Sequence, residues 1–313
     1  MSSPHPRTPG TWRVGRLAGT DILVKPSLLV MGAVLVAIFA PRFAERSESN
    51  PYVLAIVFVL ALYLSVLVHE LAHVAVARAF RMRVQSVTLH LLGGETIIEG
   101  ESRTPWQELS TSIAGPLASL GIGLVALGGS RGLDEGALAD GLYSVGYINL
   151  IVAAFNMLPG LPLDGGRVFR AIIWQVTGRE VTGVRVAAWI GRIAAVGVVV
   201  ATLVWREDGN RFISDLVIAA LVAWFLWQGA TDALRHAGRT SRINSLAARS
   251  LVDSTTRPPV GAEPISADLR GAPLLQAMAK HPSDTYAVTE ADGTVIGVLT
   301  MHAVDDAYRK GLR

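Results

Sequence analysis

The residues most suited to chemistry form the run His69-Glu70-Leu71-Ala72-His73, which lies inside a long apolar stretch. If that stretch is helical, the two histidines lie on the same face, one turn from each other. Their imidazoles can then converge on one zinc ion, which takes about four ligands and at a catalytic site keeps one position for water. Glu70 would lie beside that water as a general base. The pattern therefore predicts zinc-assisted hydrolysis.

A carboxylate and two imidazoles are costly within an apolar segment, and such groups normally face a cavity or one another. The alternative is a histidine pair that only forms hydrogen bonds between helices, but this gives no reason for Glu70 at that depth. The sequence contains no cysteine, so disulfides and thiolate ligands are excluded. Any metal must be held by His, Asp or Glu.

A third ligand has to come from another part of the chain, and Asp164 is the candidate. It lies in residues 156–167, where two prolines and three glycines break a helix and let the chain fold back. Alternatively, Asp164 caps a helix that begins at Gly165. The residues of this segment leave both interpretations open, and the need of the histidine pair for a third ligand favours the metal.

The elements that must position these side chains are membrane helices. Of the 313 residues, 51% are hydrophobic and 17% are charged, which is too apolar for an ordinary soluble domain. A run of about 20 apolar residues crosses a bilayer. We predict an α-helical polytopic membrane protein with about six transmembrane helices, at Ser27–Ala40, Tyr52–Phe80, Leu109–Gly129, Leu142–Leu158, Val186–Trp205 and Phe212–Ala230.

The basic residues predict the orientation of these helices. Arginines are frequent near the N-terminus, in the second-to-third and fourth-to-fifth loops, and after the last span. Short loops rich in Lys and Arg stay in the cytoplasm, so both termini are expected there. The strong preference for arginine over lysine is typical of a GC-rich bacterial genome, and we expect a multi-pass protein of the bacterial plasma membrane. No basic cluster alternates with aromatic residues, which argues against nucleic-acid binding.

The remaining segments predict a four-part organisation. Residues 1–24 are expected to be a cytoplasmic tail, residues 25–230 the membrane domain, residues 231–250 a linker and residues 251–313 a small α/β module. Within the membrane domain, residues 84–99 contain β-branched runs separated by Gly93-Gly94, which predicts a β-hairpin at the membrane face.

Together, the HExxH run, Ala114-Gly115-Pro116 and the Asn156-x-x-Pro159 and Leu163-Asp164-Gly165 segments resemble the site-2 protease family of intramembrane zinc metalloproteases. The resemblance covers about residues 25–230. It implies one zinc ion per chain held by His69, His73 and Asp164, with Glu70 as the catalytic base. It also implies cleavage of transmembrane segments of regulatory membrane proteins, such as an anti-sigma factor, in regulated intramembrane proteolysis.

The same resemblance suggests roles for three further features. Asn156 would position the substrate backbone or stabilise the oxyanion, or alternatively form a helix–helix hydrogen bond. The hairpin would receive an unwound substrate by strand addition. His90, which lies in the hairpin, is either a transient ligand or an ordinary surface or core histidine.

The C-terminal module resembles a single CBS motif, above all at Asp292-Gly293 and Ile296-Gly297-Val298-Leu299-Thr300. The resemblance implies adenine-nucleotide sensing. CBS motifs usually act in pairs, and only one is visible. Three interpretations stay open: the chain is truncated, two chains pair their halves as a homodimer, or this copy is structural.

Two other functions use the same residues. A membrane metal transporter or channel with a CBS-type regulatory tail could use the histidines as a relay site, but transport does not require a glutamate between them. An inactive scaffold of the same family would not need intact His69, Glu70, His73 and Asp164.

Overall fold

The structure is a computed structural model that describes residues 10–17, 19–44, 50–90, 93–99, 102–134, 136–204 and 212–310. The helices are α1 (Ser27–Ala44), α2 (Pro51–Ala79), α3 (Pro105–Arg131), α4 (Ala137–Asn156), α5 (Asp164–Thr177), α6 (Glu180–Val204), α7 (Phe212–Ser245), α8 (Ala248–Leu251), α9 (Gly271–Lys280) and α10 (Met301–Lys310). The strands are β1 (Trp12–Leu17), β2 (Thr20–Val24), β3 (Arg83–His90), β4 (Gly93–Glu99), β5 (Glu263–Ser266), β6 (Thr285–Thr289) and β7 (Val295–Thr300).

Six helices of the described ranges are long and apolar enough to cross a membrane, namely α1, α2, α3, α4, α6 and α7. This confirms the predicted number of spans. Helix α2 shows the distribution of side chains that a membrane requires, because Leu60 and Leu64 on its outer face are each 62% exposed while His69 is only 5% exposed. Apolar side chains outside and polar ones inside are expected when lipid replaces water.

Local signals explain where the two central helices begin. The Asn50 side chain accepts a hydrogen bond from the Tyr52 backbone N–H at 3.0 Å, and Pro51 occupies the first position of α2. The Thr104 hydroxyl likewise accepts from the Gln107 N–H at 3.2 Å, at the start of α3. Both caps satisfy backbone donors that have no partner within the helix.

Helix α3 is the centre of the membrane unit, since it packs against α2, α4 and α5. A four-stranded sheet of order β1-β2-β3-β4 accompanies the helices, and α2 contacts its strands β3 and β4. Strand β2 runs parallel to β3, and β3 runs antiparallel to β4. Strand β4 is therefore an edge of this sheet.

The chain divides into two compact units, at Thr231 and Asp232. The C-terminal unit contains a sheet of order β5-β6-β7. Its core includes Leu274, Tyr286 and Leu299, each 0% exposed. Helices α9 and α10 accompany the strands β5, β6 and β7, so the unit is a small α/β module as predicted.

Two strands lie within the predicted tail, and the glycine pair of the predicted hairpin has a different position. Strands β1 and β2 fall within residues 1–24, of which residues 1–9 and 18 lie outside the described residues. The parallel partner of β2 is β3, which is distant in sequence, so local pattern gives no sign of the pairing. Gly93 and Gly94 do not separate the hairpin strands but begin β4.

Most of the predicted linker 231–250 is helical, since α7 continues to Ser245 and α8 follows at Ala248–Leu251. This segment is polar, which suggested a linker, but it contains no proline before Ser245. A polar helix can therefore extend beyond the apolar span.

Candidate active site

Helix α2 brings the HExxH residues to one buried face. His69, Glu70 and His73 are 5%, 7% and 3% exposed, and the two imidazole rings lie 4.9 Å apart between their centres. The helical arrangement predicted from their spacing is confirmed.

Asp164 joins the two histidines from the start of α5. Its Oδ2 atom lies 3.0 Å from His69 Nε2 and 3.3 Å from His73 Nε2. One candidate ligand atom from each residue lies within 4.8 Å of the other two. The alternative role as a helix cap is not what the structure shows, because Leu163 is the cap residue and the Asp164 side chain points to the histidines.

The irregular segment before α5 is held in place by its backbone. The Leu161 N–H donates to the Ala187 carbonyl of α6 at 3.1 Å, and the Leu163 N–H donates to the Gly160 carbonyl at 3.0 Å. The broken helix predicted from the prolines and glycines thus becomes a defined turn. That turn delivers Asp164 to the histidine pair.

Helix α3 orients both imidazoles through their other nitrogen atoms. His73 Nδ1 lies 2.7 Å from the Thr111 carbonyl oxygen, which can only accept, so Nδ1 donates and the lone pair of the neutral ring is on Nε2. His69 Nδ1 lies 2.9 Å from the Ser119 hydroxyl. Such partners fix the tautomer and direction of metal-binding histidines.

Gly115 of α3 gives the two rings the space that they need. A Cβ atom at this position would overlap His69 Nε2 and His73 Nε2, so only glycine fits against the site. Two nitrogen ligands and one carboxylate, with both Nε2 atoms directed toward Asp164, match the donor set of a catalytic zinc site. The residues therefore fit a zinc ion.

Glu70 is held by strand β4 and not by the three candidate metal ligands. The Thr96 hydroxyl donates to Glu70 Oε2 at 2.6 Å. Gly94 lies so close that a Cβ atom there would overlap the Glu70 side chain. A carboxylate beside the candidate metal ligands can accept a proton, which is what a general base requires.

The predicted roles of Asn156 and His90 are not decided by their contacts. The Asn156 amide donates to the Val152 carbonyl of its own helix at 3.0 Å. This bond lies within one helix, so it is not the hydrogen bond between two helices that was the alternative role of Asn156. The proposed oxyanion role stays a prediction. His90 ends β3 opposite Gly93. Burial, and then the charge of Lys25, lower the pKa of the His90 imidazole, which favours its neutral form.

Sequence reasoning gave no role to the supporting residues on α3, although Gly115 belongs to the Ala114-Gly115-Pro116 motif. Thr111, Gly115 and Ser119 share one face with the buried Glu108, which pairs with Arg167 and Arg170 of α5. Their spacing of three, four and four residues is itself a signal. Small and polar residues at helical spacing in an apolar span indicate a face turned toward protein.

Comparisons with known proteins agree with this geometry. The model of peptidase family M50 matches residues 57–135 and 131–201. A protein of Synechocystis, whose name places it among the zinc metalloproteases, is 34% identical over 298 residues, covering 92% of this chain and 75% of its own length. The zinc metalloprotease MJ0392 of Methanocaldococcus jannaschii is 30% identical over 265 residues, with 83% of this chain and 72% of the relative covered.

A solved structure leads to the same family. The site-2 protease from Methanocaldococcus jannaschii superposes with a TM-score of 0.54 at 28% identity, covering 72% of this chain and 95% of that one. The comparisons support a protease and give no support to a transporter. The chain belongs to peptidase family M50, the site-2 protease family, and is a membrane zinc metalloprotease.

Proposed function

We propose that this chain cleaves single-span regulatory membrane proteins, such as an anti-sigma factor, within or near their transmembrane segment. His69, His73 and Asp164 would hold the zinc ion and Glu70 would be the catalytic base. The observation that carries this assignment is the convergence of three candidate ligand atoms within 4.8 Å, with the Glu70 carboxylate held separately by Thr96.

The chain's own residues supply the proton transfers. When bound, a zinc ion lowers the pKa of a water molecule and polarises a peptide carbonyl as a Lewis acid. Glu70 accepts a proton from the attacking water and passes it to the amine nitrogen that leaves. Its hydrogen bond to Thr96 keeps the carboxylate in one orientation during both transfers.

Strand β4 is a suitable receiver for the substrate. It is an edge of its sheet, and it contacts Glu70 through both Gly94 and Thr96. An extended peptide that pairs with an edge strand gains main-chain hydrogen bonds. A substrate helix that unwinds onto β4 would therefore bring extended backbone to the base and the metal ligands.

For the cellular setting, we propose the bacterial plasma membrane with both termini in the cytoplasm. The support is the placement of arginines: Arg78 and Arg81 follow the site on α2 and Arg179 follows α5, while few basic residues lie in the opposing loops. Short loops rich in Lys and Arg stay in the cytoplasm. The catalytic residues would then lie nearer the cytoplasmic side.

We further propose that the C-terminal unit is a CBS-like half-module that senses an adenine nucleotide and pairs with a second chain. Its element order, β5-α9-β6-β7-α10, together with the resemblance at Asp292-Gly293 and residues 296–300, supports this proposal. One half-module would need a partner, which a homodimer supplies.

The test of the proteolytic function is cleavage of a purified single-span anti-sigma factor by the full chain in detergent. Glu70→Gln should abolish cleavage and keep the zinc content, because the ligands remain. A chelator should abolish cleavage of the unaltered protein, and added zinc should restore it. Cleavage that survives both Glu70→Gln and the chelator would contradict the mechanism.

The C-terminal proposal needs separate measurements. Binding of ATP or AMP to the full chain by calorimetry, and its mass in detergent by light scattering, test the nucleotide and the dimer. A monomer that binds neither nucleotide would refute this proposal and leave the proteolytic function unaffected.

A further inference from the structure

Glu108 is a buried carboxylate that no step of the proposed mechanism uses. It lies in the first turn of α3 and is 1% exposed. Its Oε1 atom lies 3.0 Å from Arg167 Nε and 2.5 Å from Arg170 Nη2. Its Oε2 atom accepts a hydrogen bond from the Ser102 hydroxyl at 2.6 Å. Both oxygens of the carboxylate are thus engaged.

Both arginines lie on α5, whose first residue is Asp164. Arg167 follows Asp164 by three residues, which is about 4.5 Å along a helix axis. The Glu108 carboxylate therefore joins the first two turns of α5 to α3. The start of α5 has no side-chain cap, so the direction of Asp164 depends on what holds this helix.

Helix α3 already orients the other two candidate ligands. Thr111 bonds His73, Ser119 bonds His69, and Gly115 gives both rings their space. Glu108 shares that face of α3. One helix would thus define the geometry of all three ligands, and metal sites tolerate only about 0.2 Å of error in ligand distance.

Charge pairs with arginine are well suited to this task. The guanidinium group is planar, always charged and a rigid multiple donor, so it defines an orientation as well as an attraction. Such a buried pair is weak evidence for stability, because desolvation offsets most of the attraction. A role in orienting α5 explains why Glu108, Arg167 and Arg170 lie together beside the site.

We infer that Glu108 is a positioning residue for the metal ligand Asp164 and acts through Arg167 and Arg170. The inference rests on the proposed function in one respect, namely that Asp164 binds the zinc ion. A purely structural salt bridge between α3 and α5 is the competing explanation. The two differ in whether the folded protein loses metal affinity.

The experiment compares Glu108→Gln with two reference variants in the full chain in detergent. Asp164→Asn reports the loss of the third ligand. Glu290→Gln removes another carboxylate–arginine pair, in which Arg249 Nη2 lies 2.6 Å from Glu290 Oε2 in the C-terminal unit. Zinc affinity is measured by chelator competition, the ligand geometry by the visible spectrum after Co²⁺ substitution, and folding by the thermal midpoint of the metal-free protein.

We expect Glu108→Gln to weaken zinc affinity by about 10- to 100-fold, the usual effect of losing a group that orients the metal ligands. Its Co²⁺ spectrum should shift toward that of Asp164→Asn. Glu290→Gln should match the unaltered protein in both measurements. Glu108→Asp, which keeps the charge, should recover part of the affinity.

Unchanged zinc affinity and an unchanged Co²⁺ spectrum in Glu108→Gln, with or without a lower thermal midpoint, would overturn the inference. If Glu108→Gln does not fold, Arg170→Gln serves instead, because Arg167 remains on the carboxylate; it should weaken zinc affinity, and unchanged affinity overturns the inference. Unchanged affinity in Asp164→Asn would instead refute the ligand assignment, and the inference with it.

Discussion

Replacing Gly115 by alanine tests whether close packing of α3 against the histidines makes the metal site. The added Cβ atom would lie 2.6 Å from His69 Cδ2 and overlap the Nε2 atoms of both rings. Carbon atoms normally approach to about 3.5–4.0 Å, so the rings must move by about 1 Å. Ligand distances tolerate only about 0.2 Å. We therefore expect Gly115→Ala to weaken zinc binding by about 100-fold, the upper end of the loss seen when metal ligands are no longer correctly oriented.

The same substitution should hardly affect folding. Alanine is favoured over glycine within a helix by about 1 kcal/mol, and the atoms that must move are the ends of side chains. The assay measures bound zinc after dialysis against graded chelator, cleavage of a single-span substrate and the thermal midpoint of the metal-free protein.

Gly121→Ala is the matched control for this experiment. It changes the same residue type in the same helix, and no atom lies within 4 Å of its added Cβ. It should keep zinc and activity. Zinc content and cleavage at the level of the unaltered protein in Gly115→Ala would refute the reasoning, because the rings would then have room that the structure denies them.

Three further substitutions test two residues that contact the site and one residue in the core of the C-terminal unit. Ser119→Ala should weaken zinc affinity about 10-fold by releasing His69 Nδ1, and unchanged chelator competition would contradict this role. Thr96→Val should lower kcat about tenfold, equivalent to about 1.4 kcal/mol, with zinc content unchanged; a loss of zinc would place Thr96 among the ligand supports instead. Leu299→Ala, at a fully buried position, should destabilise the C-terminal unit by about 2–5 kcal/mol in denaturant unfolding and leave the zinc content unchanged, whereas zinc loss would show that the two units depend on each other.

Much of the membrane unit can be predicted from local pattern. A run of apolar residues long enough to cross a bilayer can form little other than a helix, because lipid offers no hydrogen-bond partner to the backbone. His69 and His73 then share a face by helical geometry alone. Two features do not follow from local pattern: the polar continuation of α7 has the composition of a linker, and the partner of β2, strand β3, is remote in sequence.

The chemical identity of the centre follows from residue types that are present before any folding. Without cysteine, and with His69, Glu70 and His73 at helical spacing, a zinc site with an adjacent base is the natural outcome. What local pattern could not decide was the choice between ligand and cap for Asp164, since both functions use the same carboxylate at the same place in the chain.

Folding decided that choice through contacts between distant segments. The turn before α5 brings Asp164 Oδ2 to 3.0 Å from His69 Nε2, although the two residues are far apart in sequence. The roles of Gly115 and Glu108 likewise depend on which helices pack against α3. Spacing along one helix places groups on a face, but the approach of one helix to another is set by side-chain packing. Packing of α3 against α2 and α5 therefore turned three separate sequence features into one site.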